Sequence, residues 1–226
     1  MVNSKLECIN LKKTETTYWV SALTHRLMDL GQRKIYDAIT QRQQLVDNAN
    51  SLNKKQYEYM GCKIIVRQNN IIYEPTDGIV NPANSKLTNG AGAAKAIQDA
   101  AGQDYISECE QYLQDFKKLP TGEAMTTTAG KLPCKYVINV VGPKCMENQE
   151  DISKESRLLK AALCSVLNEM VEYEMESISI LAISTGLYRF PLETCVQIYA
   201  RNIKKFIEKA KGEMEGKTIV LCKAVA

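Results

Sequence analysis

The sequence predicts an α/β fold in which a mostly parallel sheet carries helices on both faces. Three observations point to this class. Short β-branched runs begin at residue 62, helical patterns separate them, and the two textures alternate to the end of the 226-residue chain. Such alternation is typical of strands joined by helical crossovers, which pack as layers above and below the sheet.

The first quarter of the chain differs because its apolar residues recur at helical spacing. One helical face is formed by Trp19, Leu23, Leu27 and Leu30. We therefore predict an N-terminal helical segment of unknown role over residues 1–56 and a single main domain over residues 57–226.

Five apolar runs bounded by turn residues predict buried strands. In chain order they are CKIIVRQ, DGIVN, YVINVV, SISILAIS and KTIVLC. Helical periodicity between them predicts helices at 92–115, 153–173 and 191–211. The chain stops shortly after the last run without a closing helix, so we expect it to be a piece of a longer protein.

Composition excludes several classes of function. A net charge of +3 and a pI of about 8.3 suit an anionic ligand but fall short of a dedicated nucleic-acid binder. His25 is the single histidine, which argues against histidine-based catalytic triads and metal sites with several histidines. The eight cysteines contain no C-x-x-C pair, which argues against zinc. Neither a metal nor a cofactor is expected.

The sequence supports neither secretion nor membrane insertion. The start, MVNSKLECIN, lacks the apolar core of a signal peptide, and no run approaches the ~18 apolar residues that span a bilayer. We expect a cytoplasmic or nuclear protein that does not bind membranes. Nucleic acid is not an expected partner either, since scattered lysines usually form a solvated face; they are Lys117, Lys118, Lys131 and Lys135.

Two glycine-bearing loops stand where strands should lead into helices, which is where sheets of this class bind ligands. The first is IVNPANSKLTNGAGAAKAI, residues 79–97, and the second is ILAISTGLYRFP, residues 180–191. Together they could clamp the two phosphates of a diphosphate, with Tyr188 covering a sugar. Each loop alone could be an ordinary tight turn.

A dinucleotide-binding fingerprint of the form G-x-G-x-x-G is not completed by the first loop. Lys95 stands where the third small residue belongs, and Glu108 and Glu110 fall in a helical run instead of closing a second strand. A nicotinamide-dependent dehydrogenase is therefore disfavoured.

Three stretches together resemble the macrodomain family. IVNPANSKLTNGAGAAKAI resembles its V-N-A-A-N signature with a G-G-G-like loop, TGEAMTTTAGKLPCKYVINVVGP its T-G, L-P and I-H-x-V-G-P segment, and ISTGLYRFP its S-T-G-I-Y-G-F-P signature. They occur in the family's order and cover about residues 60–222. The resemblance implies a three-layer α/β/α sandwich with a mixed, mostly parallel sheet, and an ADP-ribose cleft at the strand ends.

The resemblance also implies a set of ADP-ribose contacts. Asn70, followed by Ile71, matches an acidic residue that takes the adenine amino group; an asparagine oxygen can still accept that bond, or Asn70 is a turn residue. Asn84 should hydrogen-bond the distal ribose, and Asn81 should brace the loop. The diphosphate contacts are expected from two runs of residues, which are Gly90, Ala91, Gly92 and Ala93, and Ser184, Thr185, Gly186, Leu187 and Tyr188.

Two residues in or beside these runs, Ala91 and Arg189, stand where the family has glycine. Ala91 is tolerated only if its φ stays negative. Arg189 either contacts the phosphates or points into water, and we favour water.

Two functions remain open under the resemblance. In one hydrolase group of the family an aspartate that activates water stands at the position of Ala94, and the family histidine is Asn139 here, so no general base is evident. We favour a reader of ADP-ribose and mono-ADP-ribosylated proteins, with poly(ADP-ribose) as a further candidate. The alternative is a hydrolase that removes mono-ADP-ribose, or a phosphate or acetyl group from its distal ribose. Viral members that hydrolyse without the aspartate keep this alternative open, with Asn84 as the catalytic residue.

Overall fold

A computed structural model describes residues 54–147, 149–210 and 212–224 of the chain. The helices expected in residues 1–53 lie outside this part. The described elements include seven strands, four α-helices and a short 3₁₀ helix at Ile71–Tyr73. In chain order the others are β1 (Lys54–Tyr59), β2 (Cys62–Asn69), β3 (Gly78–Ala83), α1 (Gly92–Ala101), α2 (Gln103–Phe116), β4 (Ala124–Thr128), β5 (Tyr136–Val141), α3 (Ser153–Glu172), β6 (Ser177–Leu181), α4 (Leu192–Lys209) and β7 (Thr218–Ala224).

The strands form one mixed sheet in the order β1-β2-β7-β6-β3-β5-β4. The inner five run parallel, while β1 and β4 pair antiparallel at the two edges. This confirms the predicted α/β fold with a mixed, mostly parallel sheet. Because the inner strands share one direction, the loops that follow them open at the same edge of the sheet.

Helices cover both faces, and alternate residues of the strands reach the two cores. Val80 and Ile138 pack with α3 and α4, whereas the adjacent residues Ile79 and Val137 pack with α1 and α2. Each fully buried aliphatic side chain of this kind stabilises the fold by roughly 1.5–3 kcal/mol. The sheet is therefore a rigid platform held from both sides.

The edge strands β1 and β4 were not predicted from the sequence. Residues 54–56 belong to β1, although the expected helical segment extended to residue 56. An edge strand pairs on one side only and lacks the apolar run of a central strand. Tyr57 is the buried side chain of residues 55–59, and Thr127 is the buried one of β4. A two-residue turn at Met60 and Gly61 pairs β1 with β2.

The helix predicted over residues 92–115 is two helices that meet at Gly102. This residue has φ +83° and ψ −160°, a conformation open in practice only to glycine. Its N–H donates to the Gln98 carbonyl at 3.1 Å and closes α1. The other two predicted helices agree with α3 and α4 to within two residues at each end. No helix within the described ranges is long and apolar enough to cross a membrane.

Replacing Gly102 by alanine should lower the free energy of unfolding by about 1–3 kcal/mol, because the new residue keeps a strained backbone. A Cβ there would meet only the Lys131 side chain, at 3.5 Å, so a steric clash is not the cause. Gly90→Ala is the control, since no atom lies within 4 Å of its Cβ position. Urea unfolding of both variants measures the effect, and equal stabilities would contradict it.

Candidate functional site

β3 and β6 are neighbours in the middle of the sheet and separate toward their carboxyl ends. Their parallel pairing covers Gly78 and Ile79 of β3, whereas β3 stays paired with β5 as far as Ala83. Pro82 lies beyond the paired stretch, and its missing N–H could not extend the ladder. A crevice therefore opens between the two loops that follow these strands.

The chain leaves the two strands toward opposite faces of the sheet. After β3 it enters α1 on one core, and after β6 it enters α4 on the other. Open α/β sheets bind ligands at such switch points. The N-cap residues of α1 and α4, Ala91 and Pro191, make no side-chain cap hydrogen bond within the described part of the chain, so the first N–H groups of both helices remain available to an anion.

Asn84 organises the loop that follows β3. Its Oδ1 accepts hydrogen bonds from the N–H groups of Lys86 at 3.0 Å and Thr88 at 3.2 Å. Its Nδ2 donates to the Thr88 carbonyl at 2.6 Å. These bonds use most of the polar capacity of the side chain and shape residues 84–88. The observed hydrogen bonds of Asn84 fold its own loop. Its contact with the distal ribose stays a prediction.

The exposed residues Gly90, Ala91 and Gly92 carry the chain into α1. Ala91 is extended at φ −156°, so it meets the condition that its φ be negative, which allows alanine in place of the family glycine. Gly92 has φ +62°, and no atom lies within 4 Å of a Cβ built on Gly90 or Gly92. The backbone of this loop, with Ala93 half-buried behind it, is therefore open to a ligand on that side.

The loop that follows β6 is held by its own hydrogen bonds. The Ser184 carbonyl accepts from the Phe190 N–H at 2.9 Å, and the Thr185 hydroxyl donates to the Ala182 carbonyl at 2.7 Å. A Cβ on Gly186 would meet nothing within 4 Å. The Ser184 Oγ is buried and has no hydrogen-bond partner among the described residues. This loop also presents an open backbone.

Three residues of the second loop have distinct surroundings. Leu187 is 74% exposed, and Tyr188 is half-buried. Arg189 has φ +54°, and its guanidinium lies 3.1 Å from the Glu147 carboxylate in an exposed ion pair. The Arg189 side chain thus points toward solvent and the loop after β5, in agreement with the favoured interpretation.

The loop after β5 braces the one after β6. The Cys145 N–H donates to the Tyr188 carbonyl at 2.9 Å. Gly142 packs so closely that a Cβ there would lie 2.1 Å from the Ser184 Oγ. The absence of a side chain at Gly142 is what lets these two loops meet.

The loop after β2 carries Asn70 and Ile71. The Asn70 Oδ1 accepts from the Ile72 N–H at 3.3 Å and caps the 3₁₀ helix, while the Ile71 side chain is buried. This is the turn role that the sequence left as an alternative, and it leaves the Asn70 Nδ2 without an acceptor among the described residues.

Glu74 anchors this loop and is fully buried. Its carboxylate accepts from the Arg67 Nε at 3.1 Å, from the Asn69 Nδ2 at 2.7 Å and from the Ser179 hydroxyl at 2.9 Å; the Arg67 Nη2 pairs with its second oxygen. A buried carboxylate needs such partners because it has lost its water. The network ties the loop after β2 to β6.

A second buried polar cluster lies under the first loop, around the hydroxyl of Tyr105. This hydroxyl donates to the Asn139 Oδ1 at 2.6 Å and accepts from the Nδ2 of Asn81 at 2.9 Å and of Asn89 at 3.0 Å. Burial raises the pKa of the Tyr105 phenol, so it stays protonated and can donate. The cluster connects β3 and β5 to α2 and to the residue that precedes Gly90.

Sequence reasoning missed Tyr105, Asn89, Glu74 and Gly142. Tyr105 lies in a helical pattern, and nothing in that pattern indicates that its hydroxyl forms buried hydrogen bonds. Nothing in the sequence around Glu74 indicates that it is buried. Asn81 was expected to brace the loop, and its bonds are of that kind, although its contribution to ligand binding stays a prediction. Asn139 is buried and bonded within the cluster. No group of three or more potential metal ligands converges among the described residues.

Comparison with known proteins identifies the family. The family profile described as Macro domain matches residues 80–199, which is more than half of the chain. The chain belongs to the Macro domain family. The matched part begins in β3 and ends in α4, so it contains both loops of the crevice.

Two relatives and one solved structure illustrate the similarity to other macrodomains. An uncharacterized Thermotoga maritima protein is 40% identical over 69% of this chain, which spans only 26% of that relative's length. An O-acetyl-ADP-ribose deacetylase of Escherichia fergusonii is 35% identical over 66% of this chain and 83% of its own. The Oceanobacillus iheyensis macrodomain with ADP superposes with a TM-score of 0.68 at 27% identity, covering 76% of this chain and 88% of that one.

Tyr105→Phe should destabilise this macrodomain by about 2–3 kcal/mol, because buried amides of the cluster lose their shared hydroxyl partner. The matched control is Tyr112→Phe, on the same helix, whose hydroxyl takes part in none of the cluster's bonds. Thermal and urea unfolding report the difference. A Tyr105→Phe protein as stable as the control would show that the cluster does not hold the loop.

Proposed function

We propose that the chain binds ADP-ribose, free or attached to proteins as a mono-ADP-ribosyl group, and acts as a reader module. The crevice between β3 and β6 carries this proposal. Two loops with open backbones flank it, at Gly90–Gly92 and around Gly186. Backbone N–H groups that converge on one point suit a diphosphate, because they need no mobile side chain. Poly(ADP-ribose) ends offer the same group and are a further candidate.

The order of the strands supports positions for the base and the distal ribose of the ligand. Neighbouring paired strands lie about 4.8 Å apart, so the end of β2 is about 10 Å from that of β6 and, because β3 diverges from β6, more than about 14 Å from that of β3. A base at Asn70, a diphosphate between β6 and β3, and a ribose beside Asn84 would follow each other along this edge. ADP-ribose has its groups in that order.

The relatives support the same ligand class. The Escherichia fergusonii relative is named for action on O-acetyl-ADP-ribose, and the Oceanobacillus iheyensis structure contains ADP. We infer that a nucleoside diphosphate with a second ribose is the ligand of this site.

A reader is favoured over a hydrolase because the two crevice loops contain no group that takes a proton. Residues 84–94 and 182–191 include no Asp, Glu or His. Ala94 is only 9% exposed, so its position offers little room for a carboxylate. Glu147, on the loop after β5, is occupied by its ion pair with Arg189. Water attack would therefore proceed without a positioned general base.

A hydrolase remains the second candidate because one relative is named a deacetylase. In that case the chain would remove mono-ADP-ribose, or a phosphate or acetyl group from the distal ribose. Asn84 would orient the water with its remaining amide hydrogen, and the ligand itself would supply the base.

ADP-ribose should bind at least tenfold more tightly than AMP, a difference of about 1.4 kcal/mol. AMP lacks the second phosphate and the distal ribose that the two loops would engage. Isothermal titration calorimetry with both ligands tests this. Equal affinities would contradict the proposed diphosphate site.

The Gly186→Glu variant belongs to the same experiment and should abolish binding of ADP-ribose. Its Cβ has free space, so the fold should survive, while its carboxylate would repel the diphosphate within a few ångströms. Lys205→Gln is the charge control, since it lowers the net charge by one as Gly186→Glu does, and this exposed residue lies about 20 Å along α4 from the crevice. Loss of affinity in both variants would point to net charge instead of the crevice.

Turnover of a mono-ADP-ribosylated protein should be slower than that of an active macrodomain hydrolase by ~10²-fold or more, the usual contribution of a general base. Released ADP-ribose is measured over time, with binding measured in parallel. Comparable turnover would favour the hydrolase, provided that Asn84→Ala abolishes it while the variant still binds ADP-ribose.

A further inference from the structure

Asn70 offers a ligand both a donor and an acceptor. Its Oδ1 accepts from the Ile72 N–H at 3.3 Å, which fixes the orientation of the amide, because a reversed amide would place two donors together. Carbonyl oxygens have two lone pairs, so one remains on the Oδ1. The Nδ2 donates to none of the described residues, and the side chain is half-buried at the open edge of the sheet.

The surroundings of Asn70 favour a neutral side chain. Its N–H donates to the Asn69 Oδ1 at 2.9 Å, and the Asn69 Nδ2 donates to the buried Glu74 carboxylate at 2.7 Å. That carboxylate has one cation, Arg67, as its partner. A second carboxylate two hydrogen bonds away would add a negative charge close to that carboxylate.

We propose that Asn70 makes the base subsite tolerant of either an amino or a carbonyl group at position 6 of the purine, so that hypoxanthine nucleotides bind as well as adenine nucleotides. This rests on the proposed ADP-ribose function and names the ligand class that the site accepts. An adenine amino group donates to the free lone pair of the Oδ1. A carbonyl at position 6 accepts from the Nδ2.

A carboxylate at the same position would discriminate between these bases. It can accept from an amino group but has no hydrogen to donate, and its charge repels a carbonyl oxygen. Asn70→Asp is therefore the matched variant. It keeps an oxygen for the Ile72 N–H, so the cap of the 3₁₀ helix is retained, while a negatively charged acceptor replaces the donor.

The experiment titrates the full chain and its Asn70→Asp variant with ADP-ribose and with inosine diphosphate ribose, and thermal unfolding verifies the fold of both proteins. We expect the wild-type affinities to agree within fivefold and the variant to prefer ADP-ribose by at least tenfold.

Three results would overturn the inference. A wild-type preference for ADP-ribose of tenfold or more shows that the base is discriminated despite Asn70, while the proposed function stands. Equal binding of both ligands by wild type and variant shows that Asn70 does not read the base. Binding of neither ligand by the wild type overturns the proposed function and this inference with it.

Discussion

The separation of β3 from β6 is the constraint on which the rest of the site depends. These strands pair over two residues of β3 and then diverge, because the chain must reach α1 on one face and α4 on the other. A crevice at this point follows from the order of the strands. Divergence alone, however, would leave two mobile loops, and a ligand that had to order them would bind more weakly.

Buried polar contacts supply that order in advance. The Tyr105 hydroxyl ties the strand residues Asn81 and Asn139 to Asn89 at the base of the first loop. Glu74 ties the loop after β2 to β6 through Ser179. In the Tyr105 cluster the Nδ2 groups of Asn81 and Asn89 and the Asn139 Oδ1 are paired, whereas the Oδ1 atoms of Asn81 and Asn89 are buried without a partner among the described residues. Removing the shared hydroxyl would leave further buried groups unpaired, which costs more than the bond contributes. The loops can therefore present bare backbone without side-chain caps of their own.

The parts that could be predicted from the sequence are those whose signal is local. Strands between two helical layers are mostly apolar and β-branched, which is why all five parallel strands were found, and the two glycine loops stand directly after β3 and β6. β1 and β4 escaped because an edge strand needs few apolar residues. Gly102 divides a helix whose apolar period continues across it. The bonds of Glu74 to Ser179 and of Tyr105 to Asn139 join residues 105 and 34 positions apart, and no local pattern encodes such a pair.

The chemistry of the crevice follows from what its loops are made of. Backbone N–H groups bind a diphosphate at any pH near neutrality, because they do not titrate, and they cannot accept a proton from water. The side chains whose hydrogen bonds shape the first crevice loop are amides and a tyrosine hydroxyl, and the Asn84 amide already folds its own loop. Loops that are ordered by amides and hydroxyls favour tight, pH-independent binding of the ligand. They give little catalytic assistance to its hydrolysis. Any catalysis at this site would have to draw its base from the ligand, which makes the substrate, more than the protein, the determinant of the rate.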